Sequence, residues 1–211
     1  MVMIIPGIIE LDVKELERKV ALVSPFSEQI QIDVGDGTLI PTQTPHEFPF
    51  LKKFSANVFE AHLLMAKPEL YVRRLVEDGC SRIIAHIECN DPREFLAEAR
   101  THECEIGLAI DTETNLEEIE PFLEELDVVL VLTAPSGVSG QPFEESTLSK
   151  IRAIHRNFPD LPIEVEGGMN EETVKIVAEA GATHIVSTSY LFADEKRVGE
   201  AMTQLVSVVN S

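Results

Sequence analysis

Short runs of apolar, β-branched residues alternate with amphipathic stretches along the whole chain. This alternation is typical of repeated βα units that build a parallel sheet. Eight such units can be counted, the last of them with a helix expected over 194–209. The predicted strands lie at 3–9, 29–33, 58–65, 82–88, 105–111, 128–134, 162–168 and 184–192.

Helix signals stand between these runs. Pro68 suits the first turn of a helix and Gly79 suits its end. Asp91 followed by Pro92 predicts the start of the next helix, and Asn115 is expected to cap the segment LEEIEPFLEEL.

The number of units predicts the architecture. Eight βα units within 211 residues favour a (β/α)₈ barrel, the TIM barrel, and we expect it to form one domain over 1–211. The alternative is an open Rossmann-like sheet, which usually has about five or six strands. That alternative is disfavoured because the first βα turn, IIELDVKE, lacks the G-x-G-x-x-G pattern that lets a backbone approach a pyrophosphate.

The charge of the chain limits its partners. A formal net charge of -20 repels nucleic acid and anionic membranes, so we expect neither as a partner. No apolar run approaches the roughly 20 residues of a membrane helix, and MVMIIPGIIE lacks the basic segment of a secretory signal, so we expect a cytoplasmic protein. Three cysteines without a C-x-x-C pair argue against a disulfide framework, and the apolar segment HEFPFL is a candidate contact in a homo-oligomer.

Polar residues gather near the carboxyl ends of four predicted strands, which is where a barrel of this kind holds its chemistry. Taken singly, Asp33 could cap a turn and His62 could be a hydrogen-bonded core histidine. Together, carboxylates on one inner face repel each other unless a cation holds them, so the pattern predicts a divalent metal. The residues are Gln31, Asp33, Glu60, His62, His86, Glu88, Glu164 and Glu166.

The loops after the last three strands have a different character. PSGVSGQ, EGGMN and STSY are rich in glycine and hydroxyl residues, and a helix is expected to begin near Asn170. Glycine allows close backbone approach, and unpaired N–H groups at a helix start bind oxyanions. These loops therefore predict a phosphate site.

Several of these segments together resemble the ribulose-phosphate 3-epimerase family. IDVGDGTLIP is similar to the second-strand signature of that family, HLLMAKPELY to its third, AHIE to its fourth and GLAIDTET to its fifth. SGVSGQPF resembles its sixth-strand loop and EVEGGMNEET its seventh strand, so the motifs run in the same order through the barrel.

The resemblance implies a metal-dependent isomerase of carbohydrate metabolism and the pentose phosphate pathway. Such an enzyme removes and returns the C3 proton of a phosphorylated 2-ketose with two acids on opposite faces. Its metal, which could be Zn, Mn, Fe or Mg, stabilises an enediolate. Carried over by position, the resemblance implies Asp33 and Glu166 as catalytic acids, Asp33, His62, Glu166 and Gln31 as metal ligands, and Gly137, Gly140, Gly167, Gly168, Met169, Thr188 and Ser189 as substrate and phosphate contacts.

Departures from the family pattern concentrate in the same region. Gln31 replaces a histidine, Glu166 an aspartate, Gly7 a serine and Gly35 a methionine, while Thr188 stands where the family usually has glycine. Glutamine is a poorer zinc ligand than imidazole, so metal affinity or preference should change. Gly7 and Gly35 are expected to leave room for the longer side chain of Glu166 or for a differently shaped substrate.

Three functions follow from these features. The first is epimerisation of D-ribulose 5-phosphate or of another ketose phosphate. The second is a sugar-phosphate-binding barrel with impaired catalysis. A third class, the decarboxylases and aldolases with a D-x-K-x-x-D motif on the third strand, is disfavoured because the segment reads EAHLLM and lacks the lysine.

Overall fold

Eight parallel strands pair in chain order, and the eighth pairs with the first to close a barrel. The computed structural model describes residues 2–136 and 140–210. The fold predicted from the alternation of elements is therefore confirmed as a (β/α)₈ TIM barrel. The strands are β1 (Met3–Ile8), β2 (Gln29–Gly35), β3 (Val58–Leu64), β4 (Cys80–His86), β5 (Glu105–Ile110), β6 (Val128–Leu132), β7 (Ile163–Glu166) and β8 (His184–Ser187).

Seven of the eight connections carry an α-helix among the described residues, and the connection after β2 carries a 3-10 helix at Pro49–Lys53. Further 3-10 turns lie at Pro68–Leu70, Glu120–Glu125, Glu145–Thr147 and Glu195–Arg197. The α-helices are α1 (Val13–Val23), α2 (Val72–Asp78), α3 (Pro92–Ala99), α4 (Leu116–Ile119), α5 (Leu148–Asn157), α6 (Thr173–Ala180) and α7 (Val198–Val209).

The predicted helix starts are partly right. Asp91 accepts hydrogen bonds from the N–H groups of Arg93 and Glu94, as expected of an N-cap. Asn115 occupies the N-cap position of α4 as predicted, but its side chain makes no capping hydrogen bond. The helix that follows has a single α-turn and continues as a 3-10 helix, because Pro121 lacks the N–H that an α-helix interior requires.

Apolar side chains fill two regions of the barrel. The larger core lies between the strands and the helices, where residues such as Ile32, Leu63 and Phe95 are fully buried. A smaller cluster inside the barrel consists of Ile84, Ala109, Val128, Leu130 and Leu132. This cluster draws on β4, β5 and β6, while the polar side chains of Gln31, His62 and Glu166 come from β2, β3 and β7.

None of the helices in the described ranges combines the length and the apolar character needed to cross a membrane.

Candidate active site

Strand register brings the predicted acids and imidazole to one depth of the barrel. Asp33 on β2 pairs directly with His62 on β3, and Glu166 is the last residue of β7. Gln31 and Asp33 share one face of β2, and the contacts of Gln31 with Glu166 and of His62 with Asp33 show that all these side chains point into the barrel. Asp33 and His62 are buried, and Glu166 is partly exposed to the pocket above them.

Two nitrogens bridge the two carboxylates. Nδ1 of His62 lies 3.1 Å from Oδ1 of Asp33 and 3.3 Å from Oε2 of Glu166. Nε2 of Gln31 donates to the same two oxygens at 2.8 Å and 2.9 Å. Without a cation, the mutual repulsion of the carboxylates is therefore relieved by hydrogen-bond donors on both sides.

The orientation of Gln31 bears on its predicted role as a ligand. Its amide nitrogen faces the carboxylates, and its Oε1 is buried without a hydrogen-bond partner in the described part of the chain. A cation is bound by the amide oxygen, so Gln31 could ligate only after its amide rotated by about half a turn. Its role as a metal ligand stays a prediction.

Protonation in this cluster follows from burial and from charge. Burial alone lowers the pKa of His62, but the hydrogen bonds to Asp33 and Glu166 outweigh it and raise that pKa to about 10. Burial and the charge of Glu166 raise the pKa of Asp33 to about 6. Burial tends to raise the pKa of Glu166 too, but donation from His62 and Gln31 lowers it overall. One imidazolium thus faces two acids.

The other side of His62 meets a second histidine. Nε2 of His62 lies 2.9 Å from Nε2 of His86, and the rings stack with centroids 5.0 Å apart. Nδ1 of His86 lies 2.9 Å from Oε2 of Glu88. Burial, aided by the charge of His62, lowers the pKa of His86 in spite of its hydrogen bond to Glu88.

Two further acids lie one layer deeper, where the sequence analysis expected a metal to balance all of them. Glu60 and Glu164 are fully buried, and Nη1 of Arg82 lies 3.0 Å and 3.5 Å from their Oε2 atoms. The expectation of one metal for all the acids is wrong, because an arginine already supplies the cation here. Burial and the neighbouring Glu60 raise the pKa of Glu164 well above its usual range.

The pocket above the carboxylates reaches the loops predicted to bind phosphate. Gly137, one of the predicted contacts, lies outside the described residues. The predicted residues that line the pocket are Asp33, His62, Gly140, Glu166, Gly167, Gly168, Met169, Thr188 and Ser189.

Glycine is required after β7. Gly167 and Gly168 have φ values of 116° and 69°, in the left-handed region. A Cβ on Gly167 would lie 2.5 Å from the backbone nitrogen of Ala134, and one on Gly168 would lie 2.7 Å from that of Phe143. Close packing of this turn against the loop after β6 therefore requires glycine at both positions.

The helix after this turn differs from the prediction. Helix α6 begins at Thr173, and the side chain of Asn170 accepts hydrogen bonds from the N–H groups of Glu172 and Thr173. The N–H of Asn170 itself donates to Oγ1 of Thr173. These N–H groups are already paired, so the expectation that this helix start offers them to a phosphate is wrong.

The space expected at two glycines is also occupied. A Cβ on Gly7 would lie 2.6 Å from Oγ1 of Thr188 and 2.7 Å from Cγ1 of Val186. A Cβ on Gly35 would lie 2.7 Å from the carbonyl oxygen of Thr42. Neither glycine leaves room for the longer side chain of Glu166, so that expectation is wrong.

Sequence reasoning missed two residues of this interior. Arg82 shares the inner face of β4 with His86, and Gln29 donates to Glu60 at 2.9 Å. Strand alternation was a usable signal for Arg82, because it lies four residues before His86 and two before Ile84.

Comparison with known proteins agrees with the motifs. A family model described as the ribulose-phosphate 3 epimerase family matches residues 3–192. A ribulose-phosphate 3-epimerase of Schizosaccharomyces pombe is 33% identical over 199 residues, which cover 90% of this chain and 86% of the relative. A rice protein named as a cytoplasmic isoform of ribulose-phosphate 3-epimerase is 30% identical over 185 residues, which cover 84% of this chain and 80% of the rice protein.

A solved structure shares the fold. The crystal structure of 3-hexulose-6-phosphate synthase from Salmonella typhimurium superposes with a TM-score of 0.75 at 15% identity. The superposition covers 99% of this chain and 98% of the synthase chain. At that identity the likeness concerns the barrel alone.

Proposed function

The chain belongs to the ribulose-phosphate 3-epimerase family and is a sugar-phosphate 3-epimerase, and on that premise we propose a metal-dependent proton exchange at C3 of a ketose such as D-ribulose 5-phosphate. The observation that carries this mechanism is the pair of carboxylates, Asp33 and Glu166, held around one imidazole at the mouth of the barrel. Inversion at carbon requires a base on one face and an acid on the other. We further propose that the reaction takes place in the cytoplasm.

Each carboxylate has one task in each direction. Asp33 takes the proton from C3, and the electron pair of the broken C–H bond moves into an enediolate across C2 and C3. Glu166, in its acid form, then donates a proton to the opposite face of C3. Asp33 ends protonated and Glu166 ionised, and exchange with solvent restores both.

The electrostatics support the role of Asp33 as the base. The pKa of Asp33, raised to about 6 by burial and by Glu166, is close to neutrality, where a general base works best. Glu166 is held ionised mainly by donation from His62 and Gln31. Its use as an acid therefore requires that Glu166 take up a proton before each turnover in this direction.

The residues fit a divalent cation. Asp33, His62 and Glu166 each offer one ligand atom, and the three atoms lie within 4.8 Å of one another. Two carboxylates balance a 2+ charge, and carboxylate with imidazole suits Zn, Mn or Fe, while the carboxylates alone suit Mg. When bound, the cation supplies electrostatic stabilisation to the negative oxygens of the enediolate.

The other end of the substrate is assigned to the glycine-rich loops. We place the phosphate against Gly167, Gly168 and Ser189, which line the same pocket as the carboxylates. Gly140 lines the same pocket, and Gly137 is assigned to the substrate by the family resemblance alone. The backbone is in the left-handed region at both glycines, and turns of this kind can form anion-binding concavities, which supports this placement.

Solvent exchange tests the reaction directly. The protein is incubated with D-ribulose 5-phosphate and Zn²⁺ or Mn²⁺ in deuterated water, and NMR follows the sugar. We expect xylulose 5-phosphate with deuterium at C3. If neither appears with this substrate or with a hexulose 6-phosphate, while the sugar phosphate still raises the melting temperature, the protein binds without catalysis.

Variants test the two acids. Asp33→Asn and Glu166→Gln should each lower the epimerisation rate by about 10²-fold or more, because each removes one proton carrier. Asp36→Asn is a matched control, since Asp36 follows the same strand but hydrogen-bonds Thr38 and does not line the pocket. Full activity in Glu166→Gln would contradict its role as an acid.

A further inference from the structure

A chain of hydrogen bonds leads away from the proposed metal site into the wall of the barrel. It runs from Nε2 of His62 to Nε2 of His86 over 2.9 Å, and from Nδ1 of His86 to Oε2 of Glu88 over 2.9 Å. The other carboxylate oxygen of Glu88 accepts the backbone N–H of Asp111 at 2.9 Å. The chain therefore ends on an acceptor that is fixed to the backbone.

The number of protons available shows which group donates in each of these hydrogen bonds. Glu88 faces a backbone donor with one oxygen and His86 with the other, so as a carboxylate it can only accept. Nδ1 of His86 must then carry a proton. A 2.9 Å contact between two Nε2 atoms needs one bare nitrogen. With one proton on each ring, the proton of His86 is on Nδ1, so its Nε2 accepts and the proton between the rings belongs to Nε2 of His62.

This assignment determines the protonation of Nδ1, the other ring nitrogen of His62. Once Nε2 of His62 holds its proton, a neutral His62 has a bare Nδ1, and this atom faces Asp33 and Glu166 at 3.1 Å and 3.3 Å. The reversed arrangement would place a bare Nδ1 of His86 against a carboxylate 2.9 Å away, which is two acceptors in contact.

We infer that His86 and Glu88 are positioning residues, which act through each other to hold His62 in the Nε2–H tautomer so that Nδ1 is the cation ligand. Burial makes the arrangement effective. His62 and His86 are each 1% exposed, so water does not compete for these hydrogen bonds. Hydrogen-bond partners of a ligating histidine commonly fix its tautomer in this way.

This inference rests on the proposed metal site, but its test does not depend on turnover. Protein labelled with ¹⁵N-histidine is examined by long-range ¹H–¹⁵N NMR before and after addition of Zn²⁺, with the signals assigned from single-histidine variants. We expect His86 as the Nδ1–H tautomer in both states. With Zn²⁺, His62 should retain its proton on Nε2 and show the metal-bound shift at Nδ1.

Variants separate positioning from packing. Glu88→Ala removes the acceptor, so His86 should lose its single tautomer and the Zn²⁺ dissociation constant should rise by about 10- to 100-fold. Glu88→Gln keeps the shape and one acceptor oxygen, and should restore part of the affinity. Glu98→Ala is the matched control, because Glu98 makes the same kind of contact with His102 at 3.0 Å on an outer helix.

Several results would overturn the inference. They are an Nε2–H tautomer of His86 in the unsubstituted protein, Zn²⁺ on Nε2 of His62, no Zn²⁺ on His62 at all, or a Glu88→Ala protein that loses affinity while His86 keeps its tautomer. Absence of C3 exchange together with the expected tautomers and Zn²⁺ on Nδ1 would instead refute the proposed reaction and leave the positioning role intact.

Discussion

The hydroxyl of Thr188 occupies the space beside Gly7. A Cβ added at Gly7 would lie 2.6 Å from Oγ1 of Thr188, which is shorter than any stable contact between these atoms. That hydroxyl is buried and has no hydrogen-bond partner in the described ranges. The first and eighth strands are neighbours in the barrel, so a small residue on one is matched by a larger one after the other.

This contact predicts a steric coupling between the two positions. Gly7→Ser should lower the free energy of unfolding by about 2 kcal/mol, because overpacking a close-packed interior typically costs about 1–3 kcal/mol. Thr188→Gly in the same chain should recover part of that loss, and the rest remains because Val186 also crowds the site. Denaturant unfolding of the single and double variants measures the coupling.

Gly107 provides the control for this cycle. A Cβ there would meet Val128 at 2.7 Å and Ile84 at 2.9 Å, so Gly107→Ala is crowded by residues other than Thr188. Its loss of stability should be the same with and without Thr188→Gly. If the loss of stability caused by Gly7→Ser were also the same with and without Thr188→Gly, the proposed contact would be contradicted.

Cation binding should depend on pH through His62. Below its pKa of about 10 the ring carries a proton on Nδ1 that must leave before a cation binds there. Raising the pH removes this competitor, so the apparent Zn²⁺ association constant should rise about tenfold per pH unit between roughly pH 7 and 9. Below about pH 6, protonation of Asp33 should steepen the dependence.

Chelator competition over this range measures the slope, and calorimetry in buffers of different ionisation enthalpy should show release of about one proton per cation at neutral pH. A pH-independent association constant would contradict the assignment of Nδ1. His62→Gln should bind the cation weakly and lose the dependence that the imidazole causes.

Replacing Gln31 should change metal preference. Gln31→His puts imidazole where an amide nitrogen now lies 2.8 Å from Asp33 and 2.9 Å from Glu166, so Zn²⁺ affinity should rise by about tenfold or more. Gln29→His is the control, because Gln29 lies on the same strand and face but contacts Glu60 in the layer below. Unchanged Zn²⁺ affinity in Gln31→His would show that position 31 does not reach the cation.

Removing Arg82 should strongly destabilise the barrel. Arg82→Met leaves the buried carboxyl groups of Glu60 and Glu164 without their cation, a change expected to cost about 3–5 kcal/mol. Glu105→Gln removes the exposed partner of the same guanidinium, and should cost less than about 1 kcal/mol. Chemical denaturation of both variants gives the comparison, and equal losses would contradict the role of the deeper pair.

Strand alternation made much of the site predictable. Because side chains alternate along a strand, the spacing of Gln31 and Asp33 placed both on one face, and that face is the inner one. The depth of each side chain along the barrel axis was harder to predict from the sequence. The same alternation put Glu164 and Glu166 on one face, but it gave no reason to expect that Arg82 would serve the first and His62 the second.

The order of elements, the barrel, the family and the inward face of each strand were determined by the sequence, because hydrophobic periodicity and local motifs act over short distances along the chain. Tertiary structure alone decided which distant groups meet. Thr188 fills the space at Gly7, the amide nitrogen of Gln31 faces the acids, and His86 meets His62 ring to ring. These contacts depend on strand register and on the closure of the barrel, which bring together residues far apart in the chain.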